Sequence, residues 1–181
     1  MHQLLYGTIS SPIGNITIIA DDHALIYVDF ADNPERRQRL LAQRYGEYQL
    51  VESADPYGFS RALNRYFAGD FAAVDDLPVS LAGTDFQQRV WLALRSIPAG
   101  QTQTYGGLAQ QLGMSVGAAR AIGITNSLNP IGIVLPCHRV IGANNALTGY
   151  AGGIERKRWL LQHEGVAFLN TSSQTMLELD V

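Results

Sequence analysis

The sequence predicts an α/β protein in two parts: a small N-terminal sheet with flanking helices, then a mainly helical C-terminal part containing a helix-turn-helix. Three observations carry this reading. The first thirty residues are short runs rich in Ile, Leu, Val and Tyr, broken by turn residues. From Thr84 onward, apolar residues recur at helical spacing. Charge divides at the same place: residues 1–83 carry 6 Lys and Arg against 11 Asp and Glu, and residues 84–168 carry 7 against 3. At 181 residues and 46% hydrophobic, the chain has the size of one domain or two small ones and excludes a disordered polymer.

The elements follow in order. Residues 4–10, 15–20 and 24–30 read as strands, separated by Ser11-Pro12-Ile13-Gly14 and Asp21-Asp22. Asn33 caps a helix that has Pro34 at its first position. Residues 57–69 form a second helix, with Phe59, Leu63, Tyr66 and Phe67 on one face. Residues 70–83 lack periodicity and read as a linker, which places domains at 1–83 and 84–168 and a polar tail at 169–181. Thr84-Asp85-Phe86-Gln87 is a capping box opening a helix with Phe86, Val90, Trp91 and Leu94 on one face. Residues 104–112 and 116–128 are two short helices around Gly113-Met114-Ser115, with Ser115 capping the second, a weak helix-turn-helix signal by itself. Residues 131–135 read as a short apolar strand entering Pro136-Cys137-His138-Arg139. A Gly-rich loop over 148–153 leads to a helix over Ile154–His163, stopped by Gly165.

Composition excludes several classes. No apolar run approaches the ~20 residues of a membrane span, and the N-terminus has no basic start and apolar core of a secretory signal. With one cysteine there is no internal disulfide and no all-cysteine zinc site. These features point to the cytoplasm. The net charge of −3 argues against a polyanion partner, but the basic excess sits in the middle of the chain.

Chemistry can reside in few places. Cys137 is the only thiol; a lone cysteine is more often a small buried hydrophobe, but His138 and Arg139 beside it favour a thiolate. On an extended chain neighbouring side chains point to opposite faces, so His138 needs a bend or a water to reach the sulfur. Glu164 lies at a helix C-terminus, where the dipole disfavours an anion. It is either a solvated end residue, the commoner case, or the carboxylate that orients His138. Arg120 projects from a smooth stretch, Gly117-Ala118-Ala119-Arg120-Ala121-Ile122-Gly123. Such a helix either packs on another helix or lies in a narrow nucleic-acid groove with Arg120 entering the stack. Tyr105 and Asn129 fit ordinary capping and core roles, or a phenolic donor aimed at a site in the case of Tyr105.

Taken together, Pro136-Cys137-His138-Arg139-Val140-Ile141-Gly142 closely resembles the active-site segment of the O6-alkylguanine-DNA alkyltransferases. Ala118-Ala119-Arg120-Ala121, Asn129-Pro130, Thr148-Gly149-Tyr150-Ala151-Gly152-Gly153 and Trp159-Leu160-Leu161-Gln162-His163-Glu164-Gly165 resemble that family in its order. The likeness covers residues 84–168 strongly and the N-terminal half more loosely. It implies a stoichiometric transfer of an alkyl group from guanine O6 in double-stranded DNA to Cys137, after the nucleotide is flipped out. His138 would act as base through a water, held by Glu164. Tyr105 would donate to N3 of the purine, and Asn129 would tie the helix-turn-helix to the cysteine segment. Val140 and Ala151 would read the guanine edge through their backbones, with Tyr150 beside them. Arg120 would fill the gap in the duplex, with Ala118, Ala119, Ala121 and Gly123 against the minor groove. No cofactor and a monomeric protein are implied, and since the zinc-binding cysteines of some members are absent here, no metal is expected.

The chain departs from the family's pattern in three places. The turn Gly113-Met114-Ser115-Val116-Gly117 is one residue longer and lacks a common proline; Asp85 stands at a proline position; and Asn126, Ser127 and Leu128 supply no basic residue after the recognition helix. Three rival readings remain at this point: a lesion-binding relative without transfer, a cysteine hydrolase using Cys137, His138 and Glu164, and a helix-turn-helix regulator.

Overall fold

A computed structural model describes residues 1–167; the tail expected over 169–181 lies outside the described residues. The chain divides into two compact units, Met1–Gln88 with Pro130–Val134, and Arg89–Asn129 with the chain from Leu135.

In the first unit, β1 (His2–Ile9), β2 (Ile16–Asp21) and β3 (Ala24–Phe30) form an antiparallel meander. Asp22 and His23 take positive φ of 43° and 64° at the β2–β3 turn, the geometry a two-residue hairpin needs to match strand twist. α1 (Pro34–Tyr45) starts as its sequence requires, with the Asn33 side chain accepting from the Arg36 amide at 3.2 Å. A fourth strand, β4 (Tyr48–Glu52), pairs in parallel with β1 and gives the order β3-β2-β1-β4. Sequence reasoning missed β4: it is an edge strand of five residues without a clean apolar face, so neither period nor propensity marks it. β2 is central, which is why Ile16-Thr17-Ile18-Ile19-Ala20 is buried at every position. α2 (Phe59–Phe67) buries Phe59, Leu63 and Tyr66, and begins two residues later than the sequence pattern suggests because Tyr57 (φ 50°) and Gly58 (φ 84°) break the helix.

The stretch read as a linker is held to β3: the Leu25 amide donates to Pro78 O and the Ser80 amide to Leu25 O, both at 2.8 Å. Residues 131–135 are not a strand, contrary to expectation. The run makes one bridge, Ile131 to Val28, and then turns at once. Ile133 has φ 70°, and the Val134 amide closes on Gly132 O at 2.8 Å, a γ-turn of the strained kind. The apolar side chains suit burial, but the backbone conformation is one that β-branched residues seldom adopt.

The second unit is mainly helical. α3 (Asp85–Ala93) carries the predicted capping box, with Thr84 and Gln87 bonded reciprocally at 3.0 and 3.2 Å. α4 (Tyr105–Gln111) is capped by the Thr104 hydroxyl. α5 (Ala119–Ser127) completes the helix-turn-helix after a single 3-10 turn over Val116–Ala118. Ser115 stands at the start of that turn, but its side chain makes no cap; its backbone carbonyl receives the Ala118 amide at 3.0 Å. Trp91 Nε1 donates to Thr125 O at 2.9 Å, joining α3 to α5. A two-residue parallel pair, β5 (Gln103–Thr104) and β6 (Val140–Ile141), precedes the last helix, α6 (Ile154–His163).

Gly7 lies in mid-strand because a Cβ there would sit 2.9 Å from both Pro56 Cδ and the Ser53 carbonyl. Gly7→Ala is therefore expected to destabilise the protein by about 1–3 kcal/mol, read as a lower urea midpoint with unchanged slope. An unchanged midpoint would show that the Ser53–Pro56 backbone yields freely.

Candidate active site

Two tight turns deliver the thiol. Pro136, at φ −78° and ψ 67°, is the centre of an inverse γ-turn closed by the Cys137 amide on Leu135 O at 2.7 Å. Cys137, His138 and Arg139 then form one 3-10 turn. This is the bend the sequence left open, and it places His138 and Arg139 on the same carboxylate. His138 Nε2 meets Glu164 Oε1 at 2.8 Å, while Arg139 reaches Glu164 with Nε at 2.9 Å and Nη2 at 2.9 Å. Arg139 Nη1 also donates to Ile97 O at 2.6 Å. All three side chains are buried.

Glu164 is thus a sealed ion, not a solvated helix end. It is the C-cap of α6; Gly165 (φ 79°) lets the Val166 amide close back on Leu161 O at 3.0 Å. Val166 and Leu161 pack with Ile141 beneath that turn. Gly100 allows the approach from the other side, since a Cβ there would stand 3.1 Å from Glu164 O. Burial alone would raise the Glu164 carboxyl; the charges and hydrogen bonds of His138 and Arg139 outweigh it and hold the group well below the usual carboxylate range.

Cys137, 8% exposed, opens on a cavity of about 620 Å³. One wall is α5, through Ala119, Arg120, Gly123 and Asn126; the other is the loop Thr148 to Ala151, with Tyr105 between. The predicted residues Cys137, Tyr105, Ala119, Arg120, Gly123, Tyr150 and Ala151 therefore line one pocket. Ala118, Ala121 and Val140 do not line it. Ala118 is half-buried at the start of α5 and Ala121 is exposed on it. Val140 follows the cysteine turn, and its carbonyl accepts from Lys157 Nζ at 2.6 Å. Asn129 is buried and donates to Leu135 O at 2.7 Å, two residues before Cys137. The Tyr105 hydroxyl donates to Thr148 O at 3.2 Å, and burial pushes this phenol above its ordinary value, which keeps it a donor. His138 Nδ1 is buried without a hydrogen-bond partner among the described residues.

Two polar residues were missed from sequence. Lys157 is fully buried, its ammonium gathering the carbonyls of Val140, Thr148 (3.0 Å) and Gly149 (3.4 Å), 5.8 Å from the Tyr105 ring centre. Burial lowers its pKa to about 8, partly offset by the charge of Cys137. Asn126 donates through Nδ2 to Cys137 O at 3.2 Å. A signal existed for both. Lys157, Leu160, Leu161 and Glu164 occupy one helical stripe, as do Ile122, Thr125, Asn126 and Asn129, so each polar residue falls on the apolar face of its helix. Among the described residues no group of three or more His, Cys, Asp or Glu side chains comes together to hold a metal, and no helix is long and apolar enough to cross a membrane.

A single thiol backed by a buried histidine–carboxylate pair, in a pocket walled by the second helix of a helix-turn-helix, is the design of a cysteine nucleophile that works on nucleic acid. Comparison with known proteins agrees. Residues 85–166 match the family model described as 6-O-methylguanine DNA methyltransferase, DNA binding domain, and residues 4–81 match its ribonuclease-like domain. The chain belongs to the 6-O-methylguanine DNA methyltransferase family. It is 47% identical over 172 residues to a methylated-DNA–protein-cysteine methyltransferase of Shigella flexneri, covering 93% of this chain and all of that one. The O6-methylguanine methyltransferase of Mycobacterium tuberculosis superposes with a TM-score of 0.74 at 43% identity, covering 89% and 92% of the two chains. A structure of the M. tuberculosis protein in complex with DNA gives 0.74 at 44%, covering 88% and 92%.

Because Glu164 ionises far more readily in the fold than in the unfolded chain, its contribution is complete above the ordinary carboxylate range and is lost as pH falls below it. Glu164→Gln is expected to cost about 3–5 kcal/mol at neutral pH. The gap from wild type should narrow as pH drops below about 4. Urea unfolding at neutral pH and at successive steps into acid checks both; a gap independent of pH would refute the ionic account.

Proposed function

We propose that this protein repairs alkylated DNA by a single irreversible transfer of the O6-alkyl group of guanine to Cys137 Sγ. The observation that carries the reading is the position of the thiol. It stands in a pocket walled by the Arg120 helix, next to a histidine whose far nitrogen is committed to a buried carboxylate. The target atom is stacked in a duplex, so the nucleotide must leave the helix before it can meet the sulfur. Arg120, exposed on α5 at the pocket rim, is the side chain suited to fill the gap, with Ala118, Ala119, Ala121 and Gly123 presenting a surface smooth enough for the minor groove.

In the transfer, the S–C bond forms as the C–O6 bond breaks, and the electron pair passes to the purine. His138 Nε2 is held by Glu164, so Nδ1 is the nitrogen left to take the thiol proton through a water. Tyr105, kept as a phenol by burial, donates to N3 and lowers the charge on the departing base. Val140 and Ala151 read the guanine edge, with Tyr150 beside them. The step balances without a cofactor. Hydrolysis of the thioether would have to expel a thiolate from an alkyl carbon, too poor a leaving group for water to displace, so one turnover ends the reaction. Residues 84–168 would carry DNA binding and alkyl acceptance, with residues 1–83 as support. A monomer suffices, and a reducing compartment such as the cytoplasm keeps the thiol available.

Intact mass after incubation with a duplex carrying one O6-methylguanine should rise by one methyl, at one equivalent, mapped to Cys137. Cys137→Ser should bind the duplex and gain nothing. Lesion binding without a mass change in the wild type would move the reading to a damage-binding protein. Arg120→Ala should slow transfer from duplex about ten- to a hundredfold, since a few kcal/mol of unstacking is no longer offset; an unchanged rate would remove Arg120 from the flipping step.

A further inference from the structure

We propose that Ile124 is a positioning residue that packs against the deoxyribose of the extruded nucleotide and so seats its base over Cys137. The inference rests on the reading of Cys137 as the acceptor of guanine's alkyl group.

The pocket has a floor and a mouth. Cys137 and Asn126, 8% and 6% exposed, lie at depth, whereas Arg120, Ile124 and Ser127 reach the surface along one stripe of α5. On the facing wall Thr148, Gly149 and Ala151 are exposed. Among these surface residues Ile124 alone has a large apolar side chain, and it is 56% exposed. A single exposed apolar side chain is ordinary on a protein. This one stands at the opening of the pocket, and Leu128, 43% exposed, continues the apolar surface one turn further along.

The charge around it says what such a surface can face. No Asp or Glu stands between Asp85 and Glu155, and over residues 113–137 Arg120 is the only charged side chain. A polyanion therefore meets no like charge on α5, and only one cation to hold it. The Ser127 hydroxyl spends its proton on Ile124 O at 2.6 Å. Beyond Arg120, this side of the mouth grips chiefly by apolar contact.

The shape of the substrate decides which part of it arrives there. In guanine the alkylated O6 is on the six-membered ring and the glycosidic N9 is on the five-membered ring, at the other end of the base. With the alkyl carbon at Cys137 Sγ, the sugar hangs back toward the mouth. Deoxyribose turns carbon and hydrogen outward from its faces, so it is the part of a nucleotide that an aliphatic side chain can cover without stranding a polar group. Arg120 stands one turn earlier on the same stripe. The arginine fills the gap in the duplex, and the isoleucine holds the sugar of the nucleotide that left it.

The test measures single-turnover transfer to Cys137 from O6-methylguanine in a duplex, in a single-stranded oligonucleotide, and as the free base in excess. Wild type is compared with Ile124→Ala and Ile124→Leu. The alanine variant should be slower by about tenfold on duplex and single strand alike, and should match wild type on the free base, which has no sugar. The leucine variant should recover most of the oligonucleotide rate. A loss confined to the duplex would place Ile124 in the gap with Arg120, and a loss that extends to the free base would place its effect on the thiol or the pocket walls. Either result overturns the inference, as does an alanine variant with no loss or a leucine variant as slow as alanine. A wild type that accepts the alkyl group from none of the three substrates is a different result and overturns the function together with the inference.

Discussion

The site depends on one buried carboxylate. Glu164 lies at the end of a helix whose dipole repels it and inside a core that does not solvate it, and both costs are met by two consecutive residues, the Arg139 guanidinium and the His138 ring. Consecutive residues can reach one carboxylate only if the chain turns between them, so the ion cluster and the 3-10 turn at Cys137 require each other. The thiol's position is a by-product of that requirement. Arg139 donates from its third nitrogen to Ile97 O, which ties the end of the α3 segment into the same cluster. The histidine is left with Nε2 committed to the carboxylate and Nδ1 without a hydrogen-bond partner among the described residues.

The pocket's opposite wall is organised by the same logic with the signs reversed. There the backbone supplies the negative ends and Lys157 the cation. Three carbonyls from two segments converge on its ammonium, so a loop with two glycines acquires a defined shape. Tyr105 joins the two walls through Thr148 O.

Much of this was legible in the sequence. The capping box at Thr84, the Asn33 cap, the three-stranded meander and the Gly165 stop follow from local rules that the structure obeys. Cys137, Arg120 and Glu164 were identifiable from their motifs. What escaped was non-local. β4 is recognisable only once β1 offers an edge to pair with. Residues 131–135 have the composition of a strand, but the backbone turns tightly at Ile133, which takes positive φ. Lys157 and Asn126 look like surface residues by type, and only their place on an apolar stripe betrays their burial. The burial of Glu164 was the choice that residue statistics weighted the wrong way, since a helix-terminal glutamate is ordinarily in water.

The ion cluster also bears on how the chain acquires its reactivity. Its bonds span 25 and 42 residues of sequence, linking Arg139 forward to Glu164 and back to Ile97. Contacts of that separation form late, after shorter loops have closed. During synthesis the thiol leaves the ribosome before the carboxylate that holds His138 has been made. In the proposed transfer, a nascent or half-folded chain therefore holds its cysteine without the carboxylate that would orient the histidine, and the full set of groups comes together only as the last helix docks. For a protein that can react once, such timing protects its single equivalent from being lost to stray electrophiles before there is a pocket to select the right one.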